Sequence, residues 1–486
     1  MPASKFCAVE LHAARKADRA DLCSNSFGIP GEVGSVPARV LAPGVAHMHQ
    51  HCGAGPTAWI DFQRIGVVSS MRPSFPAMAA VLGLGAAVAA QMDADVGAQL
   101  MRDWSVRAAL DAARADEPRT IADQTRLCEI PAPPFKEAAR AEAYAAAFRA
   151  LGLRNVRTDR EGNVLGERPG RAAHPHLVFS AHLDTVFPEG TSVTVTRLGS
   201  LLRGPGIGDD CRGLAVVLAV VRAMNRARVR TPGTITFVGT VGEEGLGDLR
   251  GVKALFRDTL KDRVDRFVSV DGAGLGITHL AVGSLRYRVT FAGSGGHSYG
   301  AFGIANPIHA LGRAIAGFAD VRSSSDPKTT FNVGRIGGGT SVNAIAAEAW
   351  LEVDMRSPDP AALHALEGRF QEAVDNALAA ENARWDNRGQ LSVARTLVGD
   401  RPAGGLPADA PIVAAALSVT RALGLTPELT EGSTDANLPM SLHIPAITID
   451  AGGQGTGAHS LEETFDTTNS WQGTLRALLA AIALAQ

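Results

Sequence analysis

The sequence predicts an α/β protein: a mostly parallel sheet with helices on both faces, interrupted by an inserted βαββαβ unit. Three observations lead there. Short apolar runs rich in Val, Ile, Phe and Thr recur along the chain. Helix-like stretches separate them, and strands that alternate with helices form parallel sheets covered on both sides. Between 284 and 400 the order changes to strand, helix, strand, strand, helix, strand, which is the split-βαβ, ferredoxin-like arrangement. A chain of 486 residues also exceeds the ~250–300 residues at which one core stops growing, so more than one domain is expected.

Taken in order, residues 1–70 show no sustained helical or strand period and hold three of the five cysteines, Cys7, Cys23 and Cys52. Met71-Arg72-Pro73 then precedes an apolar run over 75–90 that ends in Ala87-Val88-Ala89. A start methionine, a basic residue, a short apolar stretch and a small-x-small end read as a secretory signal peptide, and the run is too short for a stable membrane span. Such a leader cannot operate from position 71. Translation is therefore expected to begin at Met71, with 1–70 a disordered or spurious extension and the protein periplasmic or secreted. The alternative is an Ala/Gly-rich buried helix in a cytoplasmic protein.

Helices are expected over 104–129 and 137–152, split by Pro131-Ala132-Pro133-Pro134. Buried strands are expected at 176–181, 234–241, 266–270 and 446–449, with a helix over 213–228 between the first two. The inserted unit reads as strands at 286–291, 330–336, 347–355 and 391–398 and helices over 307–321 and 360–383. This divides the folded part into 100–283 and 401–486, two parts of a catalytic domain, and 284–400, the insert.

A formal net charge of −2 and only 5% aromatic residues supply neither the basic field nor the stacking surface that a nucleic-acid partner needs. The cysteines form no zinc-finger pattern, and with only Cys128 and Cys211 in the folded region a disulfide framework is not expected.

The polar residues that follow the apolar runs carry the chemistry. LVFSA leads to His182, TITFVGTV to Glu243 and Glu244, and RFVSV to Asp271. Ligands of open α/β sheets bind beyond the carboxyl ends of the strands. One acidic residue after a strand is usually a turn or cap, but three polar ends after three buried runs point to one shared rim. In His182-Leu183-Asp184 the carboxylate two residues on falls on the same side of an extended chain and can fix the second imidazole nitrogen; a surface pair is the alternative. The loop Gly204-Pro205-Gly206-Ile207-Gly208-Asp209-Asp210 offers either an N-cap or a carboxylate bridging two cations ~3.5–4 Å apart. Of the adjacent pair Glu243-Glu244, one can ligate while the other accepts a proton, unless both are solvated turn charges. A second glycine-rich loop, 452–458, ends in His459 after another apolar run, AITID.

These motifs, in this order, resemble the zinc-dependent exopeptidase and aminoacylase superfamily that includes peptidase T, carboxypeptidase G and acetylornithine deacetylase. The resemblance runs from about Leu110 to the C-terminus. It implies two Zn2+, with Co2+ or Mn2+ as alternatives, bridged by Asp209. His182 and Asp271 would complete one site, and Glu244 and His459 the other. Glu243 would be the general base and Asp184 the partner of His182. It also implies that the insert mediates homodimerisation, that His297 in Gly295-Gly296-His297-Ser298 polarises the substrate carbonyl, often from the partner subunit, and that Asn343 and Arg356 grip a substrate carboxylate. Gly432-Ser433-Thr434-Asp435-Ala436 resembles the family's substrate-pocket segment. Two departures stand out: Cys211 occupies a position where the family often has Lys, and Asp271 leans towards the peptidase T and carboxypeptidase G relatives. The expected activity is hydrolysis of small peptides by metal-activated water with Glu243 as base. The alternatives are an N-acyl amino acid deacylase, a single-metal amidohydrolase, and an inactive binding protein, whose usual signature, a lost ligand or base, is absent here.

Overall fold

Four parallel strands form the centre of the molecule: Thr234–Thr240, His176–His182, Arg266–Val270 and Ala446–Ile449, in that spatial order. The computed structural model describes residues 95–486; the expected signal-like segment 71–90 and the extension 1–70 lie outside them. Each central strand is an unbroken apolar run because both sheet faces are covered. In His176–His182, Leu177, Phe179 and Ala181 enter a core with Tyr144, Phe148, Leu214 and Leu478 from three helices. Val178 points the other way, into a core with Val238, Phe267, Val252 and Met440. The period-2 alternation of side chains sends neighbours to opposite faces, and all seven residues are buried.

The sheet is mixed beyond these four strands, and Glu428–Gly432 pairs parallel with Gly276–Ala281 at one edge. Arg154–Thr158 and Val164–Arg168 flank one side and Gly276–Ala281 the other, all antiparallel to their inner neighbours. The first two form a hairpin, since Asp159 Oδ1 accepts the amides of Glu161, Gly162 and Asn163 at 3.0 Å and closes a turn too short for a crossover helix. The helix expected over 104–129 is two, Trp104–Ala115 and Glu117–Cys128. Pro118 is the cause: it lacks an amide proton and its ring clashes with the carbonyl four residues back, so the chain turns at Asp116.

Residues 283–401 build a second sheet in the order Thr330–Gly338, Glu348–Ser357, Gly283–Ala292, Ser392–Arg401, antiparallel throughout. Helices Pro307–Ala319 and Pro360–Arg384 cover one face through Leu311, Phe318, Leu366 and Phe370, which meet Val289, Leu351 and Val353. Alternate burial along Glu348–Ser357 leaves the other face without helices.

A further small sheet was not foreseen: Gln454–Thr456, Thr464–Asp466, Leu201–Arg203, Thr196–Leu198. It fastens the loop before Asp209 to the loop that carries His459. Among the described residues no helix is long and apolar enough to cross a membrane, and Cys128 and Cys211 are buried free thiols.

Candidate metal centre

Three central strands end at one rim, in register: Ser180 pairs with Val238 on one side and Ser269 on the other. His182 therefore emerges beside Thr240 and close to Asp271, with Glu243 and Glu244 one turn further on. The glycine-rich loop brings the fourth group. Gly206 has φ +78°, in the left-handed region where a Cβ is penalised.

Asp209 and Asp210, whose shared peptide is cis, take different roles. Asp210 is buried; its carboxylate accepts the Gly213 amide at 3.0 Å and the His182 amide at 3.0 Å, so it caps helix Cys211–Arg226. The Asp209 carboxylate faces the rim. Its Oδ1 lies 2.9 Å from His182 Nε2 and its Oδ2 3.1 Å from His459 Nε2. His459 Nε2 is also 2.8 Å from Glu244 Oε1, and His182 Nε2 is 3.7 Å from Asp271 Oδ1. The donors thus fall into two groups that share Asp209, namely His182, Asp209, Asp271 and Asp209, Glu244, His459, each with ligand atoms within 4.8 Å of one another. Glu243 joins a third group with His182 and Glu244.

Carboxylates surround both imidazoles and shift their affinity for protons. Burial favours neutral His182, yet hydrogen bonds to Asp184, Asp209 and Asp271 raise it well above the ordinary imidazole value. Hydrogen bonds to Asp209 and Glu244 push His459 up to about 10. Burial works against ionised Asp209, but His182 and His459 hold it far below the carboxylate range.

Burial pushes Glu243 well above the usual carboxylate value; Arg401 opposes this and Glu244 adds to it. Arg401, itself buried, donates from Nη1 to Glu243 Oε1 at 3.0 Å and from Nη2 to the Glu243 carbonyl. Asp184 is less simple than the HxD spacing suggested. Its carbonyl, at 3.1 Å, is nearer His182 Nδ1 than its carboxylate at 3.7 Å. The carboxylate accepts the amides of Glu243 and Glu244 at 3.1 and 2.8 Å and so braces the loop that carries both glutamates.

His297, Asn343 and Arg356 lie apart from this cluster. His297 sits on the two-residue strand Gly296–His297, paired with Ala344–Ile345. It is exposed, and its Nδ1 accepts the amides of Tyr299 and Gly300 at 3.2 Å. Asn343 is its neighbour, through the Ser298 amide bonding the Asn343 carbonyl at 2.9 Å. Arg356 pairs with Asp354 at 2.7 Å on the open face of the second sheet. Among the described residues none of the three is hydrogen-bonded or ion-paired to the five clustered residues.

The reading of single motifs missed Arg401 and Glu463, and it marked Asp435 only as part of the segment 432–436. Asp435 is buried, accepts a 2.5 Å bond from Thr240, and is pushed by burial up to about 7. Glu463 follows Glu462, and such a doublet reads as solvated charge; only the apolar Phe465 beyond it hints at burial.

Comparison with known proteins identifies a family. The model of peptidase family M20/M25/M40 matches residues 178–484. The uncharacterized protein YqjE of Bacillus subtilis is 27% identical over 232 residues, 46% of this chain and 60% of that protein; the chain thus spans less than two thirds of this relative. A succinyl-diaminopimelate desuccinylase of Methylobacillus flagellatus is 25% identical over 63% of this chain and 84% of its own length. Among solved structures, a tripeptidase of Staphylococcus aureus superposes with a TM-score of 0.62 at 23% identity, over 76% of this chain and 98% of that one, a likeness of fold.

Proposed function

The chain belongs to peptidase family M20/M25/M40, and from that membership we propose that it is a two-metal amidohydrolase that cleaves small peptides. The observation that carries the proposal is the pair of donor groups sharing Asp209. The donor set fits divalent cations: each group offers one imidazole and two carboxylates, and the bridge presents a separate oxygen to each side. His182, Asp209 and Asp271 would hold one ion, and Asp209, Glu244 and His459 the other. Mixed nitrogen and oxygen donors suit Zn2+, Co2+ or Mn2+.

Two cations bound there would acidify water and polarise the scissile carbonyl. The rest falls to the chain. Arg401 occupies Glu243 Oε1, which leaves Oε2 to take the proton of the attacking water and to hand it to the leaving nitrogen. Burial, by lifting the affinity of Glu243 for protons, suits it to hold that proton between the two transfers. Asp184, through the amides of Glu243 and Glu244, keeps base and ligand at a constant separation. His297 and Asn343 would reach substrate from the inserted unit of a partner subunit in a homodimer formed by 284–400, and Arg356 would bind a substrate carboxylate through its planar fork.

The test combines metal analysis of the purified protein with a screen of dipeptides, tripeptides and N-acyl amino acids. Glu243→Ala is expected to abolish turnover while retaining bound metal, and His182→Ala to lower metal content. Substantial activity in Glu243→Ala would refute the base. A protein with no stoichiometric metal and no amide hydrolysis would refute the proposal as a whole. N-acyl amino acids form the second substrate class, favoured by the match to the desuccinylase over 84% of its length.

A further inference from the structure

We propose that Glu463 is a positioning residue that locks the Asp209 loop to the His459 loop and so sets the affinity of both cation sites together; the inference rests on reading the cluster as a two-cation centre.

Glu463 is 2% exposed, and both of its oxygens are engaged. Oε2 accepts the Gly206 amide at 2.8 Å; Oε1 accepts the amides of Gly208 and Asp209 at 2.8 and 3.0 Å. Its own carbonyl accepts the Gly204 amide at 3.0 Å. One side chain therefore satisfies three amides of a loop that belongs to no strand or helix, where each would otherwise be left without a partner. The last of those amides is that of Asp209, so Glu463 holds the backbone from which the bridging carboxylate reaches both imidazoles.

Glu463 also stands four residues after His459. The strand that starts at the next residue, Thr464–Asp466, pairs with Leu201–Arg203 on one side and Gln454–Thr456 on the other. The short segment 457–463 thus supplies a ligand to one site at its start and braces the shared ligand at its end. A shift of this segment moves Asp209 and His459 relative to each other, and with them both sites. The fit is close: a Cβ on Gly208 would lie 3.2 Å from Glu463 Oε1. Outer groups that orient metal ligands in this way typically change metal affinity about 10–100-fold when replaced.

Glu463→Gln tests this, because it keeps the shape but removes the charge and turns an amide donor towards backbone amides that also donate. Metal-free wild type and variant are compared by circular dichroism and thermal melting, then titrated with Zn2+ and Co2+ against a competing chelator. The expected result is a folded variant whose affinity for both ions falls about 10–100-fold, with a changed Co2+ absorption spectrum. Glu462→Gln, which loses only the exposed ion pair to Arg203, should bind as wild type. Unchanged affinity in Glu463→Gln overturns the proposal. Should that variant fail to fold, Gly208→Ala, whose methyl must push Oε1 aside, takes its place with the same two outcomes: weakened binding at both sites upholds the lock, and wild-type binding overturns it. A wild-type protein that binds no divalent ion would sink the two-cation reading itself, whereas wild-type binding matched by the variant sinks only the role of Glu463.

Discussion

Asp209 and Asp210 show how much one position can differ from the next. Both follow the same glycine-rich run, and the spacing alone permits either an N-cap or a bridging carboxylate. The structure separates the two: Asp210 caps the helix and holds the His182 amide, while Asp209 faces the histidines. Arg401 is the opposite case, a residue no motif marks, yet one that grips Glu243 by side chain and carbonyl and also reaches Ser433 at 3.2 Å. Its removal frees the Glu243 side chain to rotate. Arg401→Ala is therefore expected to lower kcat about 100-fold, the usual cost of a misplaced catalytic group, with metal content unchanged. Steady-state kinetics beside elemental analysis would check it, and a kcat within twofold of wild type would rule the clamp out.

Helix Cys211–Arg226 owes its position to a glycine. A Cβ on Gly213 would meet Asp210 Oδ1 at 2.1 Å and the Val270 carbonyl at 2.2 Å, so the first turn can press against the strand that leads to Asp271 only without one. Gly213→Ala must move the helix, the cap or the strand. We expect a loss of about 1–3 kcal/mol, typical of overpacking, together with weakened metal binding, measured by urea unfolding and chelator titration. Phe237 reports on the sheet core instead. It is fully buried, with its ring 6.0 Å from that of Phe179. Phe237→Ala should cost about 3–5 kcal/mol yet leave metal stoichiometry intact in the folded fraction. Stability equal to wild type in either variant would contradict the packing described. Among these elements the apolar strands were plain from the sequence because burial on both faces leaves an unbroken apolar run. The antiparallel flanks were not, since pairing direction depends on turn geometry rather than on composition.

The separation of His297 and Asn343 from the five ligands bears on the whole assembly. If His297 serves the partner's site, co-expressed His297→Ala and Glu243→Ala chains should regain activity, because a mixed dimer holds one complete site. Random pairing in a twofold-symmetric dimer predicts recovery of about a quarter of wild-type activity. No recovery, or a monomer in sedimentation, would refute the shared site. Export from a start at Met71 is tested separately: N-terminal sequencing should find a mature chain beginning near residue 90, and a mature protein that keeps residues 1–70 would end that proposal.

From the order of residues alone one could infer the class of fold, the βαββαβ order within 284–400, and the polar strand ends His182, Glu243, Glu244 and Asp271, because burial period and strand-end polarity are local properties written along the chain; Asp209 and His459 entered as candidate ligands only through the resemblance of the ordered motifs. The division of labour between Asp209 and Asp210, the carboxylate of Asp184 turning to the Glu243 and Glu244 amides, and the grips of Arg401 and Glu463 could not be inferred. Each depends on a contact between segments far apart in sequence, such as Glu463 and Gly206, and on where a side chain ends once packing has chosen its direction. Hydrogen bonds of that kind leave no period in the chain, since a single buried carboxylate and a single solvated one are spelled with the same letter.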